Sequence, residues 1–211
     1  MLQLKLANFS SVPFCHGDLL PLLADYSRPN DKIAEWLKQG VLVALKRGLY
    51  VVGPAWRKEE LRLPLLANRL YGPSCVSLDY ALSWHGLIPE RVHEVTSVCV
   101  RRGRTFDNAV GRFSYVSVPR VLYPIGIRQE RASAQVSFLI ASPEKALCDK
   151  VLLTRRLQAV SRVSMQRFLF DDLRLEPEAL SDFDASIVEQ YVESGHKLRQ
   201  MRALLHVLES L

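Results

Sequence analysis

The chain has 211 residues, 48% of them hydrophobic and 24% charged, with a mean hydropathy of +0.02, which is enough to build a core as one large domain or two small ones. No run approaches the roughly 18 uncharged apolar residues of a membrane-spanning helix, and MLQLKLANFSS has neither the basic region nor the apolar run of a signal peptide. A cytoplasmic protein without a membrane partner is therefore expected.

Four scattered cysteines, Cys15, Cys75, Cys99 and Cys148, show no Cys-x-x-Cys spacing and no clustered histidines. Reduced, mostly buried thiols are expected, with no metal and no cofactor. The net charge of +6 suits a nucleic-acid partner, but such a balance is common. Its distribution says more. Residues 1–60 carry 8 Lys and Arg against 6 Asp and Glu, residues 61–135 carry 10 against 5, and residues 136–211 carry 10 against 11. The positive excess sits in the middle of the chain.

In chain order, residues 1–9 fit neither the helical nor the strand period cleanly and predict a weak first helix. Residues 16–23 predict a second, burying Leu19, Leu20, Leu22 and Leu23. Asp25, Ser27 and Pro29 mark a turn. A third helix opens at Pro29 or Asn30, with Ile33, Trp36 and Leu37 on one face and Lys32, Glu35 and Lys38 outside, and it stops at Gly40. Two β-rich segments follow, residues 42–45 and 49–52, joined through Lys46-Arg47-Gly48. A helix running into a basic hairpin is the working half of a winged helix-turn-helix, in which the helix enters the DNA major groove and the hairpin tip touches phosphates.

Residues 56–70 read as a linking helix despite Pro64, which can kink a helix or mark its first turn. Tyr71-Gly72-Pro73 ends it. A helix from Ser77, with Ser77 as its cap, stops at Gly86. Residues 93–101 and 112–118 predict paired strands with residues 102–111 as the turn between them, and residues 125–129 and 135–140 predict two more strands. From Ser142 the chain turns helical: SPEK places a Ser cap before Pro and Glu, a strong start signal. Further helices are predicted at 164–170, 185–194 and 197–211. The fold class is α+β: an N-terminal winged helix-turn-helix over residues 1–60, then a larger mixed α/β domain over 61–211, with strands at about 93–140 and helices from 142.

For DNA, the candidate residues are Arg28, Asn30, Lys32 and Lys38 on the third helix and Lys46 and Arg47 on the wing. Asn30 is the base reader, since an amide can bond an adenine edge through both its donor and its acceptor. Lys46 and Arg47 suit phosphate, and Gly48 permits the positive φ of the hairpin turn. Arg101, Arg102, Arg104 and Arg112 flank one predicted turn, so their forked donors could converge on a second basic patch. The competing reading for each set is a solvated surface. Trp84 reads as core, and His85 as a helix-end residue making a local bond. Asp182-Phe183-Asp184 has a metal-binding carboxylate spacing, but no Gly-Ser phosphate turn precedes it, so it reads as a helix cap. No Walker loop, G-x-S-x-G or H-E-x-x-H occurs, and no catalytic residue is expected.

Several ordered pieces resemble one family. Leu37 to Gly40 as Leu-x-x-Gly, Arg47-Gly48-Leu49-Tyr50-Val51, SLDYALSWHGLIPE at 77–90, VTSV at 95–98, FSY at 113–115, IGI at 125–127 and IASPEKALCD at 140–149 look like the AbiEi-type antitoxins, over roughly residues 28–150. The poorly defined first helix and the acidic Asp31 and Glu35 depart from that pattern. The resemblance implies an antitoxin of a bacterial toxin–antitoxin or abortive-infection module. Such a protein represses its own operon by binding double-stranded operator DNA through the winged helix. Its C-terminal domain would neutralise a cognate nucleotidyltransferase toxin, and in the founding pairs this needs no stable complex. The alternatives are a stand-alone winged-helix regulator without a toxin partner, or a nucleic-acid-processing enzyme.

Overall fold

The structure is a computed structural model and describes residues 6, 9, 12–131, 133 and 136–211. It is a mixed α+β fold with two sheets. The first helix expected over residues 1–9 lies almost wholly outside the described residues.

The N-terminal sheet has three strands, β1 (Phe14–Cys15), β2 (Leu42–Lys46) and β3 (Leu49–Val52), in the order β1-β3-β2 with every pairing antiparallel. Between β1 and β2 come α1 (His16–Leu19), a 3-10 turn (Pro21–Leu23) and α2 (Pro29–Lys38). The second predicted helix is therefore split: Pro21 has no N–H to donate to an α-helical ladder, and the chain tightens into a 3-10 turn after α1. The predicted third helix forms where the sequence placed it. Pro29 occupies its first turn and Ile33 and Trp36 are buried. Burial of two such side chains contributes about 1.5–3 kcal/mol each. They pack with Leu19, Leu23, Leu42 and Val52 in a small apolar cluster.

The larger sheet has six strands in the order β6-β7-β5-β4-β9-β8: β4 (Ser74–Val76), β5 (Val95–Cys99), β6 (Arg104–Asn108), β7 (Gly111–Ser117), β8 (Ile127–Arg131) and β9 (Ser137–Ala141). The strands predicted around 93–101 and 112–118 do pair, but in parallel, with Val95 opposite Phe113 and Cys99 opposite Ser117. A parallel pair cannot be closed by a tight turn. The segment read as a turn in fact contains β6, which lies antiparallel on the far side of β7 with Arg104 opposite Tyr115 and Asn108 opposite Gly111.

Helices cover this sheet: α3 (Leu63–Leu70), α4 (Leu78–Trp84), α5 (Pro143–Leu153), α6 (Arg162–Gln166), which runs into a π-helical turn (Arg167–Asp172), α7 (Ala185–Glu193) and α8 (Leu198–Leu208). The linking helix is shorter than predicted; it begins at Leu63, with Pro64 in its first turn rather than as a kink. Helix α5 starts as read, with Ser142 Oγ accepting from the Lys145 N–H at 3.2 Å. Ser77 does not cap α4 through its side chain; its hydroxyl donates to Asp149 Oδ2 at 2.7 Å inside the core.

That bond belongs to a buried polar network. Lys145, Asp149, Tyr191 and Ser77 all have relative exposures of 0%. Lys145 Nζ lies 3.3 Å from Asp149 Oδ2 and donates to Tyr191 Oη at 3.0 Å and to the Leu122 carbonyl at 3.2 Å, while Tyr191 donates to Asp149 Oδ1 at 2.7 Å. Each charge is thus matched and hydrogen-bonded, the condition under which an interior tolerates charge. The network joins α5, α7 and the start of α4 at one point.

The division at residue 60 follows the chain better than the packing. Leu42, Tyr50 and Val52 belong to the small cluster, but Leu45, Leu49 and Val51 of the same hairpin belong to the large core. The hairpin is shared between the two units.

Candidate nucleic-acid interface

Helix α2 is seated by Ile33 and Trp36, so Asn30, Asp31, Ala34, Glu35 and Lys38 face outward. Its end is defined by the Gln39 N–H donating to Glu35 and by Gly40 at φ +69°. The outward face is nearly balanced in charge. Arg28 pairs with Asp31 at 3.8 Å, both highly exposed, and Lys32 Nζ donates to both Glu35 oxygens at 2.9 Å. That ammonium holds the Glu35 carboxyl below its ordinary range, and Gln39 Nε2 adds a further bond at 3.0 Å. Lys32 also lies 5.7 Å from the centre of the Tyr26 ring. Surface ion pairs of this kind contribute little, so Arg28 and Lys32 can be redirected to a stronger partner. The side chains of Asn30 and Lys38 make no hydrogen bond or ion pair with another described residue.

The hairpin turn beside α2 is held from two sides. Its bulge lies between Ala44 and Lys46, and Gly48 takes φ +76°. The Gly48 carbonyl accepts from the His16 N–H at 3.0 Å. On the other side Lys46 Nζ donates to the Leu70 carbonyl at 2.6 Å, and Asn108 Nδ2 donates to the Leu45 carbonyl at 3.1 Å. Lys46, read from sequence as a phosphate contact, is tied to the last turn of α3. Arg47 at the tip is exposed and has no such tie.

The four arginines of the second candidate patch separate. Arg101, Arg102 and Arg104 lead into the first residue of β6, and the Arg104 guanidinium lies 4.8 Å from the centre of the Phe106 ring. Arg112 is opposite Asp107 near the other end of the β6-β7 ladder, with its Nε 3.4 Å from Glu94 Oε1. The convergence expected of all four fails because the intervening residues form a strand rather than a turn. The Arg102 end of β6 is tied to the end of α3, and it is Asn108, at the Arg112 end, that bonds the hairpin. Tyr71, next to the Leu70 that receives Lys46, donates its hydroxyl to the Arg102 carbonyl at 3.0 Å and packs against Tyr115 and Phe106 at 5.2 and 6.0 Å. Tyr71, expected only to help end a helix, is a contact residue between α3 and β6; an aromatic residue beside Gly-Pro was the available signal.

Asp184, His85 and Glu144 are each engaged within the fold. Asp184 caps α7 by accepting from Ser186 N–H at 3.0 Å. His85 Nε2 lies 2.8 Å from the Ala141 carbonyl, a contact between α4 and β9 rather than a local one. Trp84, expected in the core, is 45% exposed and meets Phe138 edge-on at 5.6 Å. Glu144 is buried; it accepts from the Asp184 N–H at 3.2 Å and faces Arg128 at 3.6 Å. Among the described residues no group of three or more His, Cys, Asp or Glu is placed to hold a metal, and no helix is long and apolar enough to cross a membrane. All four cysteines are free, with Cys75, Cys99 and Cys148 buried and Cys15 exposed.

No family model matches the chain, and no curated protein matches it. Among solved structures the fold is similar to the crystal structure of the Rv2827c protein from Mycobacterium tuberculosis, at 18% identity with a TM-score of 0.53, covering 98% of this chain and 80% of that one. At this identity the likeness concerns the fold alone.

Proposed function

We propose that this chain is a DNA-binding repressor of the antitoxin type, reading its operator with a winged helix. The observation that carries the reading is the arrangement of α2 and the hairpin. Helix α2 buries Ile33 and Trp36 and presents Asn30 and Lys38 outward, and β2 and β3 follow it directly with Arg47 exposed at their tip. In this reading Asn30 contacts a base edge, Lys38 and Arg47 contact phosphates, and Arg28 and Lys32 exchange their weak surface partners for phosphate. In this reading Arg101, Arg102 and Arg104 offer the same duplex a further set of phosphate contacts from the larger unit.

The second part of the reading, neutralisation of a nucleotidyltransferase toxin, is supported by the motifs at residues 77–90 and 140–149. The test uses the full chain, because the hairpin contributes to the larger core. Wild type is expected to bind the DNA upstream of its own gene more tightly than an unrelated duplex, and Asn30→Ala with Lys38→Ala and Arg47→Ala to abolish that preference. Undiminished preference in the triple variant would refute the interface. Co-expression of the same variant with any nucleotidyltransferase encoded beside its gene separates the two activities: rescue without DNA binding supports an antitoxin, and absence of such a neighbour or failure of the wild type to rescue supports a stand-alone regulator.

A further inference from the structure

The parallel strands β4 and β9 are bridged at Val76 and Ile140 and then separate. The side-chain amide of Asn68 on α3 stands in the gap. Its Oδ1 accepts from the Leu139 N–H at 2.6 Å, and its Nδ2 donates to the carbonyls of Leu139 at 3.2 Å and Ser74 at 3.3 Å. Asn68 thus pairs with β9 as a strand residue would, and keeps the split open.

A cleft of about 510 Å³ lies beside it, within the roughly 300–1,000 Å³ typical of small-molecule sites. Its wall combines apolar surface from Leu65, Pro73 and Phe138 with polar groups from Arg69, Ser74 and Gln129. Two of these point to a ligand. Ser74 is 3% exposed, yet its hydroxyl has no hydrogen-bond partner, an arrangement that is unfavourable unless something polar reaches it. Arg69 is exposed, its side chain makes no ion pair or hydrogen bond with another described residue, and it is the one charged residue among the described residues of the wall. Gln129 is turned along the sheet toward β9, donating to Ser137 Oγ, the partner of Arg131, at 2.5 Å.

We propose that this cleft binds a small organic carboxylate, held between the Arg69 guanidinium and the Ser74 hydroxyl, with its apolar body on Leu65, Pro73 and Phe138. One guanidinium and one hydroxyl match a singly charged carboxylate through charge-assisted bonds. A phosphate dianion would call for more positive charge than the described residues of this wall carry. The inference does not depend on DNA binding, and its test involves no DNA.

The test is a proton–nitrogen NMR titration of the full chain with benzoate as the probe and benzamide as its uncharged counterpart. Benzoate in the millimolar range is expected to give saturable shifts at the amides of Arg69, Ser74 and Leu139, with benzamide binding at least about tenfold more weakly. Arg69→Gln is expected to weaken benzoate about tenfold and to leave benzamide unchanged. Ser74→Ala, a deletion of one oxygen, serves as the second variant and should weaken benzoate several-fold. Absence of saturable shifts at those amides, equal affinity for the two probes, or full benzoate affinity in both variants would overturn the proposal.

Discussion

Lys46 Nζ donates to the carbonyl oxygen of Leu70 at 2.6 Å, joining the tip of the N-terminal hairpin to the last turn of α3. The carbonyls at the end of a helix lack partners along the chain and carry partial negative charge, so an ammonium there is stabilising. The contact gives Lys46 and Arg47 different roles although they are adjacent in sequence and both basic. Arg47→Ala should lower the slope of log affinity against log salt by about one unit, the release expected for one lost phosphate contact. Lys46→Ala should change that slope less and instead destabilise the chain by about 1 kcal/mol. Salt titrations of DNA binding beside thermal unfolding of both variants check this; equal slope changes would return Lys46 to the phosphate contacts.

The buried network should tolerate loss of the whole better than loss of a part. Lys145→Met leaves Asp149 charged in the interior without its cation, and the expected loss is about 3–5 kcal/mol. Tyr191→Phe removes one donor to Asp149 and one acceptor for Lys145, at about 1–3 kcal/mol. The double variant Lys145→Met with Asp149→Leu should cost clearly less than the two single losses added together. Urea denaturation of the set is the measurement, and strict additivity would contradict a coupled pair.

Gly53 closes the N-terminal unit, its N–H donating to the Val41 carbonyl at 2.8 Å. A Cβ on Gly53 would be driven into the Gly40 backbone carbonyl, which has no flexible side-chain end to move aside. Gly53→Ala should therefore destabilise the unit by more than about 1 kcal/mol. Gly48→Ala meets open space and bears only its conformational strain at φ +76°, of order 1 kcal/mol. Thermal unfolding ranks the two, with Gly53→Ala expected to be the less stable.

Stability should fall on the alkaline side. Burial pushes the Cys75 thiol from 9.0 up to about 12, and Cys148 also rises well above its ordinary value, chiefly through burial with Asp149 adding to it. Burial raises the Tyr191 hydroxyl too, with Asp149 as the second cause. Between these unfolded and folded values the unfolded chain has released protons that the native chain still holds. Stability therefore drops as pH rises, by up to about 1.4 kcal/mol per pH unit for each such group. Below the unfolded values both states are protonated and these groups contribute no pH dependence. Denaturant midpoints at about pH 8 and about pH 11 provide the check; a flat profile would count against buried, protonated thiols.

The features that sequence alone determined are those encoded within a few residues. Helix α2 follows from Pro29 at its start, Ile33 and Trp36 one turn apart and Gly40 at its end; the hairpin follows from two β-rich runs around Gly48. Helix α5 follows from Ser142, Pro143 and Glu144. Each of these signals is a local dihedral preference or a single-turn spacing, so neighbours in sequence suffice to read it.

Tertiary structure decided what those elements touch. β1 has two residues, too few to show a period, and exists because Phe14 and Cys15 find Tyr50 and Leu49. β6 was hidden in a supposed turn because a parallel partner for β5 had to come from further along the chain, and that displaced Arg112 from the other three arginines. Lys46 was assigned to phosphate because a lysine at a hairpin tip is ordinarily solvated; only the approach of α3 gives it a carbonyl. The candidate interface was thus legible as a set of residue types, but that Lys46 is already engaged depends on a contact between residues 24 apart, Lys46 and Leu70. Such contacts arise when the two apolar clusters pack on opposite faces of one hairpin, and no local pattern encodes them.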